Sequence, residues 1–145
     1  MMPGGRAIII LMMLAVAACT TSGSKPGNPR IAAEDNAQLG LAYMEQGNDE
    51  LAMQKLQHAL ELDAKSANAH LYIAQLYMKL GKNSEAEEHY RKALSLTPSN
   101  PMVLNNYGVF LCRQQRLGEA REKFLSAAKQ PFYKTPEVAY NNAGL

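Results

Sequence analysis

The sequence has no tryptophan, three phenylalanines and two cysteines. Two cysteines cannot supply the disulfide framework that holds small secreted domains together, so a fold here must rest on packing. Charge of either sign is also scarce in excess. Lysine and arginine number 15 against 13 acidic side chains, a formal net of +2. They are not clustered on one face as a nucleic-acid footprint requires. β-branched residues are few beyond the first segment, which disfavours sheet and leaves helix as the expectation, since Ala, Leu, Glu, Gln and Lys dominate. No apolar run reaches the roughly 20 residues of a membrane-spanning helix. The sequence also lacks a nucleophile elbow, a phosphate-cradling glycine loop, an HExxH pair and a Cys-x-x-Cys pair. His58, His70 and His89 lack metal-ligand spacing. The reading is therefore a non-enzymatic protein with no catalytic residue, cofactor, metal or small-molecule substrate. The carboxylates of the EAEEHYRKAL stretch read as a solvated helix face.

What is present begins with an export signal: Arg6, an apolar run from Ala7 to Ala18, then Cys19. Residues 1–18 are expected to be removed, which takes away Arg6 and leaves 14 basic and 13 acidic side chains. Leu14-Ala15-Val16-Ala17-Ala18-Cys19 resembles a bacterial lipobox, with Ala17 standing two before the cysteine. The resemblance implies lipidation at Cys19 by three acyl chains, more than the two signals that suffice for stable anchoring. Thr20, rather than an aspartate, after the cysteine implies the outer membrane. The alternative is an ordinary signal peptide with an incidental Cys19. If Cys19 is acylated, Cys112 has no intramolecular partner and is safest when packed. Residues 19–30 form a lipidated N-terminus and tether, and the polar TTSGSKPGNPR stretch would hold the domain within roughly 20 Å of the lipid.

Residues 31–145 repeat at a spacing of 34, the tetratricopeptide (TPR) period. The repeats are read as 33–66, 67–100 and 101–134, with the start of a fourth at 137–145. The eighth position holds Gly40, Ala74 and Gly108; the eleventh Tyr43, Tyr77 and Leu111; the twentieth Ala52, Ala86 and Ala120. The twenty-fourth holds Leu56, Tyr90 and Phe124, and the twenty-seventh Ala59, Ala93 and Ala127. Small residues at the eighth and twentieth positions let two helices approach, and large ones fill the space beside them. The expected fold is all-α, a right-handed superhelical solenoid of helix-turn-helix repeats whose core comes from stacking. Gly47 and Gly81 suit left-handed helix ends, Ser84 with Glu87 suggests a capping box, and Asn100-Pro101 a helix start. Pro98 stops the helix before it.

In TPR solenoids the concave groove is lined by positions 2, 5, 9 and 12 of the first helix. These map to Glu34, Ala37, Leu41 and Met44; Asn68, Leu71, Gln75 and Met78; and Met102, Asn105, Val109 and Cys112. The candidate partner-binding residues are Leu41, Met44, Leu71, Gln75, Met78, Met102, Asn105 and Val109. Ala37 and Leu41 stand where carboxylate-clamping TPR domains carry Asn or Lys, which disfavours a chaperone-tail receptor. A methionine-rich apolar groove suits an apolar helix or strand of another protein. In a second reading Leu41, Leu71 and Val109 are core residues. The Asn105-Asn106 pair is open between partner contact and an inter-repeat hydrogen bond.

The lipobox, QLGLAYMEQGN at Gln38 to Asn48 and VLNNYGVFLCRQQRLGEA at Val103 to Ala120 together resemble the type IV pilus biogenesis and stability lipoproteins, the PilF/PilW pilotin family. The resemblance implies an outer-membrane lipoprotein with periplasmic TPR repeats. It also implies a role in multimerisation and localisation of the pilus secretin, and so in twitching motility. Members of that family carry about six repeats, more than this chain. Two alternatives are a TPR lipoprotein scaffolding other envelope enzymes, and an envelope enzyme whose catalytic part lies beyond Leu145.

Overall fold

The computed structural model describes residues 27–131 and 133–144. The apolar N-terminal segment, Cys19 and most of the tether lie outside the described residues. Among the described residues there are seven α-helices and no strand: α1 (Pro29–Glu45), α2 (Asp49–Leu62), α3 (Ala67–Lys79), α4 (Asn83–Leu96), α5 (Pro101–Arg113), α6 (Leu117–Ala128) and α7 (Pro136–Asn142). The all-α, helix-turn-helix architecture expected from the period is what forms. None of these helices is long and apolar enough to cross a membrane.

Local chemistry sets the boundaries. The turns after α1, α3 and α5 are three-residue Schellman ends, in which Asn48, Lys82 and Arg116 each donate a backbone N–H to the carbonyl five residues earlier, at 2.9 Å. The central residue of each turn is left-handed: Gly47 at φ +78°, Gly81 at +74° and Gln115 at +62°. At the other ends, Asn28, Asn48, Ser66 and Asn100 accept a backbone N–H from their own helix, the last from Met102 at 2.9 Å. The capping box expected from Ser84 and Glu87 does not form. α4 starts at Asn83, which puts Ser84 inside the helix, and its N-cap Lys82 makes no side-chain cap bond. Glu87 is engaged elsewhere.

The two helices of a pair meet at the eighth and twenty-fourth positions. A Cβ on Gly40 would lie 2.5 Å from Leu56 Cγ, and one on Gly108 would lie 2.5 Å from Phe124 Cε1. Absence of a side chain therefore lets α1 and α5 seat directly on α2 and α6. Ala52, Ala86 and Ala120 are fully buried at the same crossings, as are Leu56 and Tyr90. Burial of each leucine-sized side chain stabilises by about 1.5–3 kcal/mol, which one helix pair could not accumulate alone. Stacking supplies the rest: α3 packs on α1 and α2, α5 on α3 and α4, and α7 on α6.

Between the second and third pairs, Tyr90, Tyr107 and Phe110 form an aromatic cluster, with ring centroids 5.5 Å apart for Tyr90–Tyr107 and 5.3 Å for Tyr90–Phe110. Beside it, the Glu87 carboxylate accepts from Arg116 at 2.8 Å, Arg91 at 2.7 Å and the Tyr107 hydroxyl at 3.1 Å. Burial alone would raise the Glu87 pKa, but these donors outweigh it and hold the carboxyl below its ordinary value. The Tyr90 hydroxyl is buried without a hydrogen-bond partner among the described residues. That burial pushes its pKa above the ordinary tyrosine value.

Candidate functional site

The first helices of the pairs, α1, α3 and α5, lie side by side, and the groove positions of the sequence sort into three kinds of surface. The twelfth positions, Met44, Met78 and Cys112, are half-buried and pack on the core with their sulfurs in one row of the repeat. Leu41 and Val109, at the ninth position, are also half-buried against the core, and Gln75 between them is half-buried and polar. Met102 is 39% exposed. These residues form an apolar, sulfur-rich strip that offers contact area and can change shape, because an unbranched thioether adapts to what it meets.

Leu71 is different. It has no exposed surface, and neither has Ala37. The fifth position of α3 is covered because α3 packs against both α1 and α5. Leu71 is a core residue and not part of an accessible groove. Leu71 is buried as the second reading expects, and Leu41 and Val109 pack on the core while keeping some exposed surface.

Beside the apolar strip runs a polar ladder. Asn68 and Gln38 each donate to Glu34 Oε1 at 2.8 Å, and Gln38 also donates to the Tyr72 hydroxyl at 3.3 Å. Further along, Asn142 Nδ2 donates to Asn105 Oδ1 at 3.2 Å. Asn105 therefore serves as an inter-repeat link, while Asn106 turns back to the Met102 carbonyl of its own helix. Cys112, the one cysteine among the described residues, is a half-buried thiol at the end of the sulfur row.

A cleft of about 790 Å³ opens at the N-terminal end of the first helices, lined by Arg30, Glu34, Asp63, Lys65, Asn68 and Asn100 among others. Its carboxylates and cations are mixed, and Asn28, Ser66 and Asn100 already satisfy their own helices. Among the described residues no group of three or more His, Cys, Asp or Glu side chains could hold a metal ion. The arrangement offers a surface for another chain.

Two family models match the chain, one described as TPR repeat over residues 40–81 and one as tetratricopeptide repeat over residues 71–134. The chain belongs to the tetratricopeptide-repeat family. Within it, this TPR protein is similar to the type IV pilus assembly protein PilF of Pseudomonas aeruginosa, at 37% identity over 144 residues. The match covers 96% of this chain and 57% of PilF. A solved structure from a functional characterisation of P. aeruginosa PilF superposes with a TM-score of 0.77 at 39% identity, covering 80% of this chain and 52% of that one. The structure of PilW, described as a widely conserved type IV pilus biogenesis factor, superposes with a TM-score of 0.74 at 36% identity, covering 77% and 51%. The resemblance to the PilF/PilW family read from the sequence is borne out. The chain spans just over half the length of these relatives. A repeat scaffold of this kind points to protein interaction rather than catalysis.

The sequence reading did not anticipate two constellations. One is the Glu87 hub: a solvated face with neighbouring Lys and Arg partners covers the Arg91 contact but not Tyr107 or Arg116 of the next repeat. The other is a contact between His70 and His89, whose Nδ1 atoms lie 3.0 Å apart. The signal was available in the repeat arithmetic: the fourth position of the first helix faces the twenty-third of the second, and only the second repeat places histidine at both.

Proposed function

We propose that this TPR protein acts in type IV pilus biogenesis as a lipoprotein attached through Cys19 to the periplasmic face of the outer membrane. There it binds the pilus secretin and assists its multimerisation and outer-membrane localisation. The observation that carries the reading is the 37% identity to PilF across 96% of the chain, with TPR pairs that leave an apolar strip open to another protein. Met44, Met78, Leu41 and Val109 supply adaptable apolar contact for a helix or strand of the partner. Polar links join α1 to α3 through Glu34 and Asn68, and α5 to α7 through Asn105 and Asn142. The lipid supplies the address and the strip supplies recognition.

The test is the fraction of secretin recovered as detergent-resistant multimer from outer membranes. A deletion strain is compared with strains restored by the native gene, by Cys19→Ala, and by the double change Met44→Glu with Met78→Glu. The expected outcome is loss of multimer on deletion and recovery by the native gene alone. The groove variant should remain helical and membrane-attached, because both methionines keep exposed surface. Multimer that persists at native levels in the deletion strain would sink the role.

A further inference from the structure

His70 and His89 lie on the two helices of the second pair, α3 and α4, and face one another with Nδ1 atoms 3.0 Å apart and ring centroids 5.1 Å apart. The other nitrogen of His70, Nε2, lies 3.3 Å from the carbonyl oxygen of Ala64. A carbonyl can only accept, so Nε2 must carry the proton, and in the neutral ring Nδ1 of His70 then presents a bare lone pair to His89. Two bare lone pairs at that distance repel, so something must bridge the two nitrogens. It is either a proton on His89 Nδ1 or a metal ion.

We propose that His70 and His89 form a two-imidazole site for a borderline divalent transition ion of the Zn²⁺, Ni²⁺ or Cu²⁺ class, with water completing the coordination. Metal–imidazole bonds of about 2.0–2.1 Å place two nitrogens on one ion roughly 2.9 Å apart at a right angle and 3.4 Å apart at a tetrahedral one. The observed separation falls in that interval. The Ala64 carbonyl fixes the His70 tautomer in the way that outer-shell acceptors orient metal-binding histidines. The rings border a cavity of about 460 Å³ lined also by Glu88, Arg91, Lys92 and Ser95, which leaves room for an ion and its waters. Glu88 is exposed at the rim of this cavity, where its charge favours a cation. Lys92 opposes binding by charge. Tyr77 packs its ring 5.7 Å from that of His89 and closes the inner side.

The internal repeats strengthen the case. At the fourth position the first and third repeats carry Asn36 and Leu104, and at the twenty-third both carry lysine, Lys55 and Lys123. The fold therefore does not need histidine at either place. Burial lowers the pKa of both rings; at His70 the Ala64 carbonyl and Glu88 oppose it and Lys92 adds to it, while at His89 the neighbouring His70 adds to it and Glu88 opposes it. The unprotonated imidazole is the form that binds metal. None of these residues belongs to the groove, so the proposal does not depend on the secretin reading.

The experiment titrates the full chain, stripped of metal by a chelator, with zinc chloride in a calorimeter. Copper(II) electron paramagnetic resonance then counts coordinating nitrogens. The expected result is one ion per chain with two imidazole nitrogens in the copper spectrum. Binding should weaken by at least about tenfold, the size of effect that loss of even an outer-shell partner reaches, in His89→Lys and in His70→Asn. Both variants copy the first repeat and keep native helicity. Lys92→Gln should tighten binding. Absence of zinc binding, or binding equal in the native chain and both histidine variants, would overturn the site. The pair would then be two rings sharing a proton.

Discussion

The two junctions between successive TPR pairs are built from the same helix positions but held by different physics. At the first, polar side chains near the surface make the specific links that cross between the pairs: Asn68 to Glu34 at 2.8 Å, Gln38 to the Tyr72 hydroxyl at 3.3 Å and Lys79 to Asp49 at 2.6 Å. At the second, three buried rings and the Glu87 hub lie between the pairs. Exposed polar links contribute little each, because water competes for them. Buried aromatic area contributes far more. The difference implies that truncating a ring at the second junction costs more than removing any one polar link at the first.

The largest test of that contrast is Phe110→Ala. Phe110 is 1% exposed and touches both Tyr90 and Tyr107. Its truncation should cost about 3–5 kcal/mol in urea unfolding. By contrast, Gln38→Ala at the first junction should stay within about 0.5 kcal/mol, as surface changes usually do. Equal losses in the two variants would break the comparison.

A second test compares the helix crossings inside the pairs. Gly40→Ala and Gly108→Ala both place a methyl against the partner helix, and overpacking of this kind costs about 1–3 kcal/mol. In an open helix the same change would gain about 1 kcal/mol. At Gly108 the neighbour is the rigid ring of Phe124; at Gly40 it is Leu56, which can change rotamer, although the Ala52 carbonyl oxygen lies 3.2 Å away. The expected order is a greater loss at Gly108, measured as the difference in urea midpoints. A gain at either position would show that the helices do not approach as closely as their small residues suggest.

Much of this was legible in the residues because repetition averages out local ambiguity. Small residues at the eighth position, glycines at two of the three helix ends and Asn100-Pro101 at a helix start each name a geometry that few other side chains tolerate. Depth was harder to read. Periodicity places Leu71 on the groove face but says nothing of coverage, and the fifth position of a central helix is hidden by neighbours on both sides. Glu87 was misread because three positions after a serine is a capping-box spacing. The helix starts earlier, at Asn83, and Arg116 of the next repeat draws the carboxylate away. The His70–His89 contact joins positions 19 residues apart on two helices, where no local pattern points from one to the other.

The smallest expected effect concerns the turn that ends α5. Its central residue, Gln115, has φ +62°, where the equivalent turns after α1 and α3 place Gly47 and Gly81. A side chain in the left-handed region costs about 1–2 kcal/mol through contact of Cβ with the following carbonyl oxygen. Glycine removes that contact but gives the unfolded chain more freedom, which takes back about 0.5–1 kcal/mol. Gln115→Gly should therefore stabilise the fold slightly, by up to about 1 kcal/mol, and Gly47→Gln should destabilise the first pair by a similar amount. The Schellman bonds of both turns are backbone bonds and survive the exchange, so the urea midpoints report conformation alone. A lower midpoint for Gln115→Gly would mean that this side chain makes a compensating contact, and the third pair would then be tied down by more than its aromatic junction.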